Sequence, residues 1–156
     1  MAIRKPLVLN NGEIEQLQPG DNLGEVDILQ QTNGNAGAIV IGTPVYSSAA
    51  STVDKARANV VGTTNVIGLV SDTSIAAAGT GGILTNGVLA ATTGQWDAVA
   101  GTAGGLTRDV IYYLSGATAG LLTSVPPSTV GQFVIRVGIA ISTTEMLISI
   151  ERRIKL

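Results

Sequence analysis

The sequence contains no cysteine and no histidine. Without cysteine there can be no disulfide, no thiolate metal site and no cysteine nucleophile. Without histidine the commonest general base and the commonest transition-metal ligand are missing too. Charge is sparse, at 13% of residues, where soluble domains average about 25%. Aromatic residues are rarer still, at 3%. Long hydrophobic runs are also absent. The run Phe133–Ile141 is short and contains Arg136, whereas a membrane-spanning helix needs about 20 apolar residues. After Arg4 and Lys5 only Leu7-Val8-Leu9 precedes Asn10-Asn11-Gly12. No signal-peptide core is expected there, and a product made in the cytoplasm is the default.

What is present is apolar and glycine-rich: 45% hydrophobic residues and 20 glycines in 156 positions, with a net charge of −2. Disordered chains combine low hydrophobicity with high net charge, so this composition argues for a folded chain. The length predicts one core. A folded 15.8 kDa chain keeps about 7,300 Å² of the roughly 23,000 Å² that its extended form exposes. A weakly acidic chain lacks the basic footprint that displaces counterions from phosphates, which argues against nucleic acid as a partner.

The charges are unevenly placed. Residues 13–27 hold Glu13, Glu15, Asp21, Glu25 and Asp27 with no base. From Ala58 to Thr107 only Asp72 and Asp97 are charged, and the last six residues supply Glu151, Arg152, Arg153 and Lys155. This pattern reads as an extended amino-terminal arm over residues 1–35, a neutral β-domain over residues 36–156, and a basic carboxy-terminal tip.

Periodicity in the body is that of strands. Phe133, Ile135, Val137, Ile139 and Ile141 alternate with smaller or polar residues. The spacing predicts a half-buried strand, or two strands meeting near Gly138. Met146, Ile148 and Ile150 repeat the alternation. Val110–Leu114 and Ala38–Ile41 are short β-branched or aromatic runs. Turn signals separate them at Asn33-Gly34, Gly42-Thr-Pro44, Gly81-Gly82, Asn86-Gly87, Gly104-Gly105 and Pro126-Pro127. Asn-Gly readily takes the positive φ angles of a type I′ hairpin. Helix signals are weak: Thr93–Val99 predicts one or two turns capped by Thr92 or Thr93. Ser51-Thr-Val-Asp54 imitates a capping box, but Val53, Lys55 and Arg57 alternate with small residues, which favours a strand. The expected fold is all-β, a small sandwich or barrel of short antiparallel strands.

Candidate chemistry is thin. Gly79-Thr-Gly-Gly82 resembles a phosphate cradle, but no Gly-Lys-Ser/Thr follows and no helix opens there, so the stretch reads as a hairpin. Asp21, Glu25 and Asp27 match no calcium-loop spacing and read as a solvated acidic arm. Glu13 and Glu15 share a face if extended, but they lie in the arm with no aromatic platform beside them. Serine and threonine nucleophiles have no histidine base, and Lys5, Lys55 and Lys155 flank no strained serine. Trp96, Tyr112 and Tyr113 fit either core filling or stacking on a sugar. No catalytic constellation, metal site or cofactor site is expected. The arm instead carries Ile3, Leu7, Leu9, Ile14 and Leu17, apolar residues without a helical pattern. They are the candidate interface, able to add a strand to a neighbour. The Thr, Asn, Gly, Ser and Ala of the body desolvate cheaply against a partner.

Three stretches resemble small virion structural proteins of tailed bacteriophages. The first is Arg4-Lys5-Pro6-Leu-Val-Leu9 with Asn11-Gly12 and Leu17-Gln-Pro-Gly-Asp21. The second is Gln95-Trp-Asp-Ala-Val99 followed by Gly104-Gly105-Leu106 and Tyr112-Tyr113-Leu114-Ser115. The third runs from Pro126-Pro127 through Val130-Gly-Gln-Phe-Val134 and Ile141-Ser-Thr-Thr-Glu145 to Ile154-Lys-Leu156. The chain departs from the family at Asp109, where glycine is frequent, and at Arg152-Arg153, where proline is. The resemblance implies a non-enzymatic capsid decoration (cement) protein, on the outer surface of the head, that forms a homotrimer and bridges major capsid protein subunits. The alternative within the same resemblance is a tail-fibre or baseplate module. A carbohydrate-binding module using Trp96, Tyr112 or Tyr113 is the reading from a different class.

Overall fold

A computed structural model describes residues 28–156, together with the backbone of two short strands in the amino-terminal segment. Those strands are β1 (Leu7–Asn10) and β2 (Glu13–Gln16), and they precede β3 (Ile28–Asn33), β4 (Ile39–Val40), β5 (Pro44–Ala49) and β6 (Thr52–Lys55). A 3-10 turn at Val61–Thr63 leads to β7 (Val66–Val70), β8 (Ser74–Ile75), β9 (Thr80–Leu84) and β10 (Gly87–Ala90). Helix α1 (Thr93–Ala100) comes next. After it follow β11 (Ile111–Leu114), β12 (Leu122–Thr123), β13 (Phe133–Val134), β14 (Arg136–Ala140), β15 (Glu145–Ile148) and β16 (Ile154–Lys155).

The fold is all-β, and it is a barrel packed on an open sheet. Strands β3, β6, β5, β7 and β9 close into a barrel. A ring with an odd number of strands cannot alternate direction all the way round, so one neighbouring pair must run parallel. That pair is β3 with β6, in the register Thr32↔Thr52 and Asn33↔Val53. Residues 28–33, counted with the arm in the sequence reading, supply this closing strand. The barrel is filled by Val45, Val53, Val70 and Ile83, with Ile39 and Ile75 from the two-stranded β4–β8 ladder.

So narrow a barrel needs strands without side chains at its seam. A Cβ on Gly68 of β7 would stand 2.4 Å from the carbonyl oxygen of Leu84. On Gly81 of β9 it would stand 2.5 Å from Ile75 Cγ1. Gly81-Gly82 is therefore mid-strand, which corrects its reading as a turn. The bend lies just before it, at residues 76–79, where the Gly79 amide donates to the carbonyl of Ala76 at 2.9 Å. Neither Asn-Gly pair forms a type I′ hairpin, because neither asparagine has a positive φ. Asn86-Gly87 carries the chain out of the barrel into the second sheet, and Asn33 is buried.

The second sheet has the order β10-β15-β14-β11-β12, antiparallel throughout. Its inner face, α1 and the outer wall of the barrel enclose the larger core. Trp96, Tyr112, Leu114, Val137, Met146 and Ile148 meet Ile41, Ala56 and Leu69 there. The expected alternation in 133–141 holds only to Val137. Tyr112 pairs with Gly138 and Tyr113 with Arg136, so Val137 is an extra residue on β14. Such a bulge reverses which positions face inward. Beyond it Ala140 is buried while Ile139 and Ile141 turn outward.

Helix α1 has the expected place and cap. The Thr92 hydroxyl accepts from the Gln95 amide at 3.3 Å, and the Gln95 side-chain oxygen accepts from the Thr92 amide at 2.8 Å. This capping box satisfies two of the amides that a helix start leaves free. Residues 51–54, the competing helix candidate, lie largely in β6.

Candidate interaction surfaces

The chemistry-bearing residues of the body turn out to hold structure. Trp96 is 0% exposed, and its indole N–H donates to the Thr144 carbonyl at 2.9 Å. Tyr112 is equally buried, and its hydroxyl accepts from the Thr107 amide at 3.0 Å. Tyr113 is half-buried on the opposite face of the same strand. A sugar-stacking platform built on Trp96 and Tyr112 is therefore ruled out by burial. The amide of Gly82, a candidate phosphate donor, donates to the Asp72 carboxylate at 3.0 Å. Among the described residues no group of three or more acids is placed to hold a metal ion.

Asp97 holds the loop after α1. One carboxylate oxygen accepts from the Gly105 amide at 2.8 Å and the Thr102 hydroxyl at 2.9 Å, and the other from the Gly104 amide at 3.1 Å. The Gly105 hydrogen bond, the largest influence, pulls this carboxyl below the usual aspartate range. Burial opposes it, and the Thr102 and Gly104 bonds reinforce it. A carboxyl that is more acidic when folded stabilises the fold above its unfolded pKa of about 4, and loses that contribution as pH falls through the folded value. Asp97→Asn is accordingly expected to melt below the parent at neutral pH, with the gap closing under acid conditions. Thermal melts across the acid range test this. A gap independent of pH would mean that the ionised carboxylate is not what holds the loop.

Two surfaces of the body expose aliphatic side chains. One is the outer face of the second sheet, where Val88, Leu147, Ile139 and Ile111 are registered side by side across four strands. Val88 and Leu147 are exposed, and the other two are half-buried. The other surface is the carboxy-terminal tip. There β13 and β16 form a two-stranded ladder, with Phe133 opposite Lys155 and Val134 opposite Ile154. Val130 is 89% exposed and Ile154 64%, and Val60, Val61 and Leu156 are exposed as well. Hydrogen bonds gather these residues. The Gly131 amide donates to the Leu156 carbonyl at 3.1 Å, and the Phe133 amide to the Ala58 carbonyl at 2.8 Å.

Arg153 locks this tip to the 3-10 turn. Its guanidinium donates to the Val61 carbonyl, the Thr64 hydroxyl and the Asn65 side-chain oxygen at 2.8–3.2 Å. It also lies 5.8 Å from the centroid of the Phe133 ring. Arg136 and Glu151 pair at 2.7 Å beside it. A hollow of about 460 Å³ opens next to Arg152 and Arg153. The one acid in its lining, Glu151, is already engaged by Arg136.

What these surfaces can do is bury apolar area. A Val, Leu or Ile side chain moved fully out of water contributes about 1.5–3 kcal/mol, and contiguous exposed aliphatic patches mark interaction sites. Of the sequence-predicted interface, Ile3 and Leu17 lie outside the described residues. Leu7, Leu9 and Ile14 fall within β1 and β2, for which the backbone pairing alone is described. Sequence reasoning found the tip basic but missed its exposed aliphatic residues. Their signal was the apolar Val130, Ile154 and Leu156 set beside turn residues and a cluster of bases. Comparison with protein-family models, with curated proteins and with solved structures finds no match to this chain.

Proposed function

We propose that this is a non-enzymatic structural protein of a tailed-bacteriophage particle, a capsid decoration protein that binds the outer shell and bridges neighbouring major capsid subunits. The observation that carries the reading is a β-body poor in charge that nevertheless exposes aliphatic side chains at a sheet face and at one tip. Such a body is suited to burial against partners rather than to chemistry. Charge-poor surfaces suit a lattice, because densely repeated like charges repel. The resemblance of the three sequence stretches supplies the biological setting. In this reading the body sits on the shell as a homotrimer and residues 1 to about 30 reach a neighbouring subunit. A small free energy per contact becomes large when a shell cannot open without breaking many of them.

The copy number in purified particles, measured against the major shell protein, tests the setting. A ratio near one chain per shell chain is expected, and a few copies per particle would instead favour the tail-fibre or baseplate module. Deleting residues 2–20 tests the bridging. Shell occupancy is expected to fall, and unchanged occupancy would remove the arm from the mechanism.

A further inference from the structure

We infer that the carboxy-terminal tip, with Val130, Ile154 and Leu156 rimmed by Arg152 and Lys155, is the docking site for the acidic amino-terminal segment of a second copy of this chain. This rests on the bridging reading above for the arm's role, and it names the subunit that the arm reaches.

Four observations support the pairing. The tip is apolar, and its exposed aliphatic residues surround a strand, β16, that among the described residues pairs with β13 alone. One edge of β16 is therefore open to strand addition, which supplies main-chain hydrogen bonds while side-chain contacts supply specificity. The rim is basic, with Arg152, Arg153 and Lys155 against a single acid, Glu151, which Arg136 already pairs. Residues 13–27 are the opposite, with five acids, no base and the apolar Ile14, Leu17, Leu23 and Val26.

Geometry allows the reach. β1 and β2 pair with each other, Leu9 opposite Ile14, and with no other strand among the described residues. A lone two-stranded ribbon is marginal in water and needs a surface to cover it. Residues 17–27, between that ribbon and β3, extend to at most about 40 Å. That is about the diameter of a domain this size. Donor and acceptor are different parts of the chain, the heterologous arrangement that builds closed rings or open filaments of copies.

Sedimentation velocity on the full-length chain tests this without any particle, at low and at high salt. The parent is expected to associate, and to do so less at high salt because rim charges are screened. Arg152→Glu with Lys155→Glu is expected to weaken association about tenfold or more, since like charges then face each other. Both side chains are exposed, so melting should be unchanged. Glu13→Lys with Glu15→Lys should weaken it too, and the four substitutions together should restore it. Ile154→Ser should weaken association at either salt. A monomeric parent overturns the contact, as does association that is indifferent to the tip charges or a quadruple variant that fails to recover. A shell-occupancy loss on deletion of residues 2–20 would still stand in those cases, so the two readings fail separately.

Discussion

Trp96→Ala is expected to remove a large part of the chain's stability. Truncating a buried tryptophan costs about 3–5 kcal/mol through lost burial and the cavity left behind. The Thr144 carbonyl would also lose the indole N–H at 2.9 Å, a further loss of about 0.5–1.5 kcal/mol, while it keeps its bond from the Ala91 amide at 2.9 Å. A domain's whole stability is about 5–15 kcal/mol. The site cannot collapse to compensate, because the indole is gripped from several sides. A Cβ on Gly42 would already stand 3.0 Å from its ring, and Val99, Leu69 and Met146 belong to the same core. Far-UV circular dichroism with denaturant melts reads the result. Trp96→Phe, which keeps most of the ring volume and loses the N–H, is expected to stay folded with a loss near the hydrogen-bond term alone. A folded Trp96→Ala chain of near-parental stability would place the indole outside the core and reopen a surface role for it.

That residue shows where sequence reading reaches its limit. Composition left Trp96 between core and surface, because an indole serves either place. The capping box at Thr92 and Gln95 placed α1 correctly, since a cap is a local interaction written into adjacent residues. Met146 and Ile148 were legible for the same reason, as period two is a local property of a strand. Failures occurred wherever distant segments decide. Gly81-Gly82 looks like a turn in isolation, and it is mid-strand because it pairs with Gln30 and Gln31 of β3, far back in the chain. The bulge at Val137 depends on register with Tyr112 and Tyr113, which no window of sequence contains. Barrel closure through the parallel β3–β6 pair is likewise a long-range fact. The apolar tip was invisible because Val130 and Ile154 have the residue type of core positions. Only the packing shows that nothing among the described residues covers them.

Asn33→Asp is expected to be nearly as damaging as the loss of Trp96, although it changes hardly any volume. Asn33 is 1% exposed. Its side-chain amide donates to the carbonyls of Gly37 at 3.0 Å, Ile75 at 2.9 Å and Ala76 at 3.1 Å. Two N–H groups serve three acceptors, so one bond is shared. The side-chain oxygen accepts from the Asn35 amide at 2.8 Å. This one side chain ties the end of β3 to the loop that follows and to β8, the strand whose ladder with β4 contributes to the barrel interior. An aspartate carboxylate cannot donate, so three carbonyls would face a buried negative charge. The expected loss is about 3–5 kcal/mol at neutral pH. Unlike a cavity, this defect should depend on pH in a defined direction. Burial and the facing carbonyls raise the new carboxyl's folded pKa above its unfolded value of about 4. The penalty is then smallest below that value and grows as pH rises toward the folded pKa. Melts of parent and variant from acid to neutral pH measure it, and a gap below about 1 kcal/mol, or one constant with pH, would refute the assignment of Asn33 as a polar tie. The consequence reaches function through β3 itself. This strand anchors the amino-terminal segment to the body, so association of the full-length chain should fall under conditions where the variant's barrel begins to unfold.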